Sequence, residues 1–183
     1  MENETDLILQ LQSEKTKETA FKELLTLYKE RLYWHIRHIV KSHDDTDDVL
    51  QNTFIKIFRN IDKFKGESKL FSWMYRIATN EAITHLNQNA KRKQITSEEL
   101  QHQTIRNLKA DVYFEGDDIQ LKLQEAIARL PEKQQLVFNM RYFEEIKYSD
   151  MSEILDTSEG ALKASYHIAT KKIEEYLTNY DAN

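Results

Sequence analysis

The chain has 183 residues, 40% of them hydrophobic, with 26 basic and 31 acidic side chains, three glycines, one proline and no cysteine. That length admits one domain or two small ones with compact cores; so little glycine and proline leaves little material for hairpins and favours an all-α protein. The lack of cysteine excludes disulfides and thiolate metal sites. The net charge of −5 is unevenly spread: residues 56–93 carry 9 basic and 3 acidic groups, whereas 1–55, 94–118 and 119–183 each carry more acid than base.

The amino terminus, MENETDLILQLQSEK, lacks the basic start and apolar core of a secretory signal, and no apolar run approaches membrane-spanning length. The expectation is a cytoplasmic protein with no membrane contact of its own. Residues 16–42 place Phe21, Leu24, Leu25, Tyr28, Leu32, Ile36 and Val40 at helical spacing, and a polar break follows at Ser42 to Thr46. A second helix is predicted from about Asp45 to Asp47, whose carboxylates suit a helix N-terminus. It would bury Val49, Leu50, Phe54, Ile57, Phe58 and Ile61 and present Asp48, Gln51, Asn52, Lys56 and Arg59 on its other face. Lys65-Gly66-Glu67-Ser68 reads as a loop, and a third long helix is predicted over Leu70 to Asn89.

Between Phe54 and Lys93 aromatic and basic residues alternate. Phe54, Phe58, Phe64, Phe71, Trp73 and Tyr75 are interleaved with Lys56, Arg59, Lys63, Lys65, Lys69 and Arg76, and the stretch ends in Lys91-Arg92-Lys93. Flat π-faces stack on unpaired bases while cations follow phosphates, so this composition points to opened nucleic acid. Binding driven by phosphate neutralisation is sequence-independent and salt-sensitive. An acidic chain with one cationic island is therefore expected to hold duplex DNA poorly without a partner.

Residues 94–118 mix polar and acidic groups without sustained periodicity and read as a linker. Helices are then predicted near 119–130, 132–143, 148–155 and 159–178, with Pro131 at a first helical position. From Tyr148 to Ile173 the pattern is helix, tight turn, helix. Tyr148, Met151, Ile154 and Leu155 form one apolar face, and Asp156-Thr157-Ser158 breaks it. Leu162, Tyr166, Ala169, Ile173 and Leu177 then recur at helical spacing. Lys163, His167 and Lys171 fall opposite, with Lys172 beside them, and residues 160–172 contain no carboxylate. A major-groove reader needs such a second helix, lying between phosphates with side chains at base edges. An ordinary amphipathic hairpin shares the pattern.

Taken together, these residues resemble the sigma factors of bacterial RNA polymerase, specifically the small two-domain extracytoplasmic-function group of the sigma-70 family. Asp47-Asp48-Val49-Leu50-Gln51-Asn52-Thr53-Phe54 looks like that family's polymerase-binding helix. Phe64-Lys65-Gly66-Glu67-Ser68, followed by Phe71-Ser72-Trp73-Met74-Tyr75-Arg76-Ile77-Ala78-Thr79-Asn80, looks like its promoter-melting segment. Leu130-Pro131-Glu132-Lys133-Gln134-Gln135 and then Tyr148 to Lys172 look like its carboxy-terminal helix-turn-helix domain. The resemblance implies two helical domains, 1–93 and 119–183, joined by an acidic linker, 94–118.

It also implies partners: core RNA polymerase, promoter DNA and, in regulated members, an anti-sigma factor, with no obligate homo-oligomer. Asp48, Gln51, Asn52 and Arg59 would meet the polymerase. Phe64, Lys65, Ser68, Lys69, Phe71, Trp73 and Asn80 would capture a base flipped from the minus-ten element, and extruding a base takes a few kcal/mol. Lys91, Arg92 and Lys93 would hold the DNA backbone. Lys163, Ala164, Ser165, His167, Lys171 and Lys172 would read the minus-thirty-five element. The sequence departs from the family after Asn80, where Thr84 to Asn89 precede the basic cluster, and at Ser165, Ile168 and Thr170, where arginines are common. Positive charge upstream of the melted region is thinner, and the promoter read is expected to be unusual.

Linker length gives a separate check. The 25 residues of 94–118 would span about 25 to 30 Å as a flexible coil. The promoter elements lie about one and a half turns apart, or about 50 Å at ~34 Å per turn, so the linker is expected to be held extended by a partner. Other readings find less support. A free-standing helix-turn-helix regulator would need an effector domain or dimer interface, and none is evident. Asp44-Asp45-Thr46-Asp47-Asp48 fits no calcium loop, and His35, His38 and His43 form no complete ligand set. No phosphate loop, nucleophile motif or dinucleotide fingerprint occurs, so no catalytic residue, metal or cofactor is assigned.

Overall fold

The computed structural model describes residues 2–94, 99 and 118–181. Among these the regular structure is helical: α1 Glu2–Leu11, α2 Lys17–Val40, α3 His43–Asn60, a single 3-10 turn Ile61–Lys63, α4 Leu70–Lys93, α5 Asp118–Ala128, α6 Glu132–Tyr142, α7 Tyr148–Leu155 and α8 Glu159–Asp181. The chain divides into two compact units, Met1–His85 and Leu86–Asn183. The expected linker lies almost wholly outside the described residues.

Helix α1 was not foreseen from the sequence. A helix of 10 residues is marginal alone, because nucleation fixes several dihedrals for one hydrogen bond. It is held by packing on α2, with Leu7 and Leu11 only 6% and 0% exposed. Helix α2 buries Ala20, Leu24, Leu32, His35, Ile36 and Val40. Against it α3 places Val49, Leu50, Thr53, Phe54 and Ile57, and the Phe21 ring meets Phe54 and Phe58 edge-on at 6.2 and 5.0 Å.

Helix α3 begins at His43, two residues earlier than expected, because Ser42 is its cap. The Asp45 N–H donates to Ser42 Oγ at 3.4 Å, satisfying an amide that has no partner in the helix itself. Helix α4 runs to Lys93 rather than Asn89. Lys91, Arg92 and Lys93 occupy its last turn, where cations complement the negative end of the helix dipole.

A buried polar link joins α2 to α4. The Thr79 oxygen lies 2.8 Å from the Tyr75 carbonyl and forms a second hydrogen bond with His35 Nε2, also at 2.8 Å. The Tyr75 ring, 1% exposed, lies 4.6 Å from the His35 imidazole.

In the second unit Ala126, Ile127, Leu130, Phe138, Ala169 and Ile173 form the core, with Leu123, Tyr166, Tyr176 and Leu177 against it. The end of α5 is closed by a side chain from α6: Gln135 Nε2 donates to the carbonyls of Ala128 and Leu130 at 3.2 and 2.8 Å. Pro131 stands just before α6, at the cap rather than the first helical position. Helix α7 ends on Asp156, whose φ of 49° is left-handed, and Ser158 Oγ accepts from the Ala161 N–H at 3.3 Å to start α8. The tight turn between the two helices is thus fixed at both sides.

Lys41 ends α2 in a left-handed conformation, φ 64°, and is buried. Burial, with a smaller contribution from Arg37, lowers its pKa from 10.5 to about 8. The unfolded chain keeps this proton up to about 10.5, so between those values it binds more protons than the folded one and stability climbs with pH. Native protein is expected to gain stability from pH 8 to 10. Lys41→Met is expected to raise the thermal midpoint at neutral pH and to remove that gain; a native profile flat over the interval would count against a buried ammonium.

Candidate nucleic-acid and polymerase interfaces

Asp48, Gln51, Asn52 and Arg59 are all exposed on α3. Their spacing of three, one and seven residues puts them on one strip of the helix, opposite the apolar stripe that packs on α2. Lys56 on the same surface pairs with Glu81 of α4, so the strip is flanked by a fixed ion pair.

The loop between α3 and α4 begins with Phe64 and continues through Lys65, Gly66 and Ser68 to Lys69. Gly66 adopts φ +71°, a left-handed conformation that disfavours a β-carbon. Lys65 and Lys69 are exposed, and Ser68 is partly so. Phe64 differs from expectation. It is 6% exposed, with its ring 5.3 Å from that of Trp73, so it faces inward as the backing of Trp73. An aromatic ring in a basic loop is sequestered here because its burial removes apolar area from water.

Trp73 is half-buried on α4, and Asn80 is exposed two turns further along the same face, with Arg76 exposed between them. Ala78 is fully buried and Ile77 partly so. Phe71 is partly buried within a column that the sequence did not disclose: its ring lies 4.1 Å from Tyr75, and the Arg31 guanidinium, from α2, stands 5.0 Å over it. Cation–π contact is worth about 0.5 to 1 kcal/mol at exposed positions. Lys91, Arg92 and Lys93 are exposed at the end of α4, with Arg92 Nη2 donating to Asn89 Oδ1 at 3.0 Å.

On α8, Lys163, Ala164, His167, Lys171 and Lys172 are exposed and Ser165 is half-buried. Lys163 pairs with Glu159 at 3.3 Å and lies 5.5 Å from the centre of the Tyr148 ring. Arg141 approaches that ring at 5.3 Å. Tyr148, which periodicity placed on the apolar face of α7, is only partly buried and meets both cations. Lys172 Nζ donates to Gln134 Oε1 at 3.1 Å, tying α8 to the start of α6. His35, whose Nε2 is hydrogen-bonded to the Thr79 hydroxyl, is a core residue.

Two family models match this chain: Sigma-70 region 2 over residues 24–92 and Sigma-70, region 4 over residues 120–173. Among curated relatives it is similar to the ECF RNA polymerase sigma-E factor of Haemophilus influenzae, 29% identical over 94% of this chain and 95% of the relative. It is also similar to the ECF RNA polymerase sigma factor SigW of Bacillus subtilis, 25% identical over 91% and 93%. Its fold is shared with CnrH solved with the cytosolic domain of CnrY, TM-score 0.70, 18% identity, 96% and 97% coverage. The sigma factor RpoE of Bartonella quintana, solved with the anti-sigma factor NepR, gives a TM-score of 0.66 at 19% identity over 86% and 96%.

The placement of Phe64 and Lys65 separates packing from presentation. In a Trp34→Phe background, which leaves Trp73 as the reporting indole, Phe64→Ala is expected to lower the unfolding free energy of the first unit by about 3 to 5 kcal/mol. Lys65→Ala is expected to leave it within about 0.5 kcal/mol. Urea titration followed by indole emission measures both.

Proposed function

The chain belongs to the sigma-70 family of RNA polymerase sigma factors, in its extracytoplasmic-function group, and from that premise we propose how its two units divide the work. As a sigma factor it acts with core RNA polymerase in promoter-specific initiation. The first part, 1–93, docks on core through the α3 strip of Asp48, Gln51, Asn52 and Arg59. The same part opens the minus-ten element: Trp73, backed by Phe64, is a wall for an unstacked base, and Phe71 offers a separate ring on α4. Lys65, Ser68, Lys69 and Asn80 supply polar edges and charge to that pocket. Unstacking is then offset by stacking of roughly 1 to 3 kcal/mol per base. Lys91, Arg92 and Lys93 lie along the duplex upstream.

The second part, 119–183, reads the minus-thirty-five element from α8. Lys163, Ala164, Ser165 and His167 face base edges, and Lys171 and Lys172 face phosphates. Residues 94–118 join the two parts. The chain catalyses no covalent step of its own: binding to core and preference for the opened strand shift the equilibrium toward a melted start site. Its place is the cytoplasm, beside the polymerase; among the described residues no helix is long and apolar enough to cross a membrane. An anti-sigma factor is a further proposed partner, by likeness to neighbours solved with such proteins.

The observation that carries this reading is the order of the family matches, region 2 over the exposed α3 strip and aromatic α4 face, region 4 over the helix-turn-helix. Run-off transcription with purified core polymerase tests it directly, and no initiation above core alone would overturn it. Lys163→Glu is expected to weaken binding of holoenzyme to an upstream duplex, chosen from a randomised library by the native protein, by about tenfold or more. Core affinity is expected to stay unchanged; equal loss of both would defeat the division of labour. Asp48→Arg is expected to impair association with core while the circular dichroism stays helical. A variant that still competes normally for core would leave that face without a role.

A further inference from the structure

The loop assigned above to the unpaired base is an irregular segment, so its backbone groups have no helical ladder to hold them. It is held instead by residues 4–17, which precede the region 2 match at residue 24. Gln12 Nε2 donates to the carbonyl oxygens of both Ile61 and Phe64, at 3.2 and 2.7 Å, using both hydrogens of its amide. Glu4 Oε1 accepts from the Leu70 N–H at 3.2 Å. Helix α4 has no acidic residue in its own first turn, and Glu4 supplies the carboxylate that a helix N-terminus favours. The Lys17 ammonium pairs with Asp62 at 2.6 Å and stands 4.9 Å over the Phe58 ring.

The three ties bracket the segment. Gln12 and Lys17 fasten its entry at Ile61 to Phe64, and Glu4 fastens its exit at Leu70. The frame they hang from is rigid, because Leu7 and Leu11 are buried on α2. The Phe64 carbonyl held by Gln12 belongs to the residue whose ring backs Trp73, so releasing that carbonyl frees the wall of the pocket as well as the loop.

Resting on the function proposed above, we propose that residues 4–17 are a clasp that sets the geometry of the base-capturing loop, with Gln12 as its positioning residue. Gln12 touches no nucleotide; it acts through Phe64. Its amide fits two carbonyls at once, and a side chain of equal length without N–H groups keeps the packing and loses the grip.

The test uses the full chain bound to core polymerase. The probe is the single-stranded oligonucleotide that native holoenzyme enriches from a randomised pool. Gln12→Met is expected to weaken binding of that oligonucleotide about tenfold, the scale of losing two modest hydrogen bonds. It is also expected to flatten the penalty for single-base changes in the probe, a readout that lowered stability alone does not move. Core affinity and upstream-duplex binding are expected to stay within about twofold of native, well short of that tenfold effect. Lys17→Met, at the second tie, is expected to act in the same direction more weakly, and it decides the matter if Gln12→Met fails to fold. Native-like base discrimination in the folded variants overturns the clasp alone. A native holoenzyme that enriches no single-stranded sequence overturns the loop's assignment and the clasp with it.

Discussion

An α-helix cannot satisfy its own ends: its first amides and last carbonyls need partners from outside. In this chain several of those partners are side chains, and where they come from ties one helix to another. Ser42 and Ser158 cap α3 and α8 locally. Gln135 closes α5 from the next helix, and Glu4 reaches the start of α4 from 66 residues away. Each join between helices is therefore also a statement about which elements lie side by side. The Phe64 to Lys69 loop, which carries several of the proposed contacts, sits at such a join, and α8 starts from another.

That arrangement explains why the surfaces proposed for DNA are firm without being buried. The α4 face stands on His35, Tyr75 and Thr79, whose hydrogen bonds and ring contact are fully internal. Trp73 has Phe64 behind it, and Phe71 lies between Tyr75 and Arg31. A wall for a flipped base must not collapse when empty, and packed aromatics at interior density resist that.

Much of this was legible in the order of residues. Apolar spacing located α2 to α4 and α5 to α8, because each helix buries one continuous stripe. The helix-turn-helix was readable because Asp156-Thr157-Ser158 interrupts two such stripes. What escaped were matters of partnership. Helix α1 has too few apolar positions to show a sustained period and exists through Leu7 and Leu11 on α2. Phe64 looked available because it lies among lysines, yet composition does not say which side of a loop a ring takes. Tyr148 looked like core because it shares the period of α7, while two cations use its faces. Gln12, Glu4 and Arg31 carry no local motif, since their work depends on groups 40 to 66 residues distant.

The pairing of Lys163 with both Glu159 and Tyr148 bears on the thermodynamics of recognition. A lysine carries roughly 2 kcal/mol of rotamer entropy, normally surrendered when a ligand grips it. Here these two contacts already take up part of that freedom in the unliganded fold, at the place where α8 is proposed to meet a duplex. The ordering left for the proposed duplex contact to impose on Lys163 is correspondingly smaller.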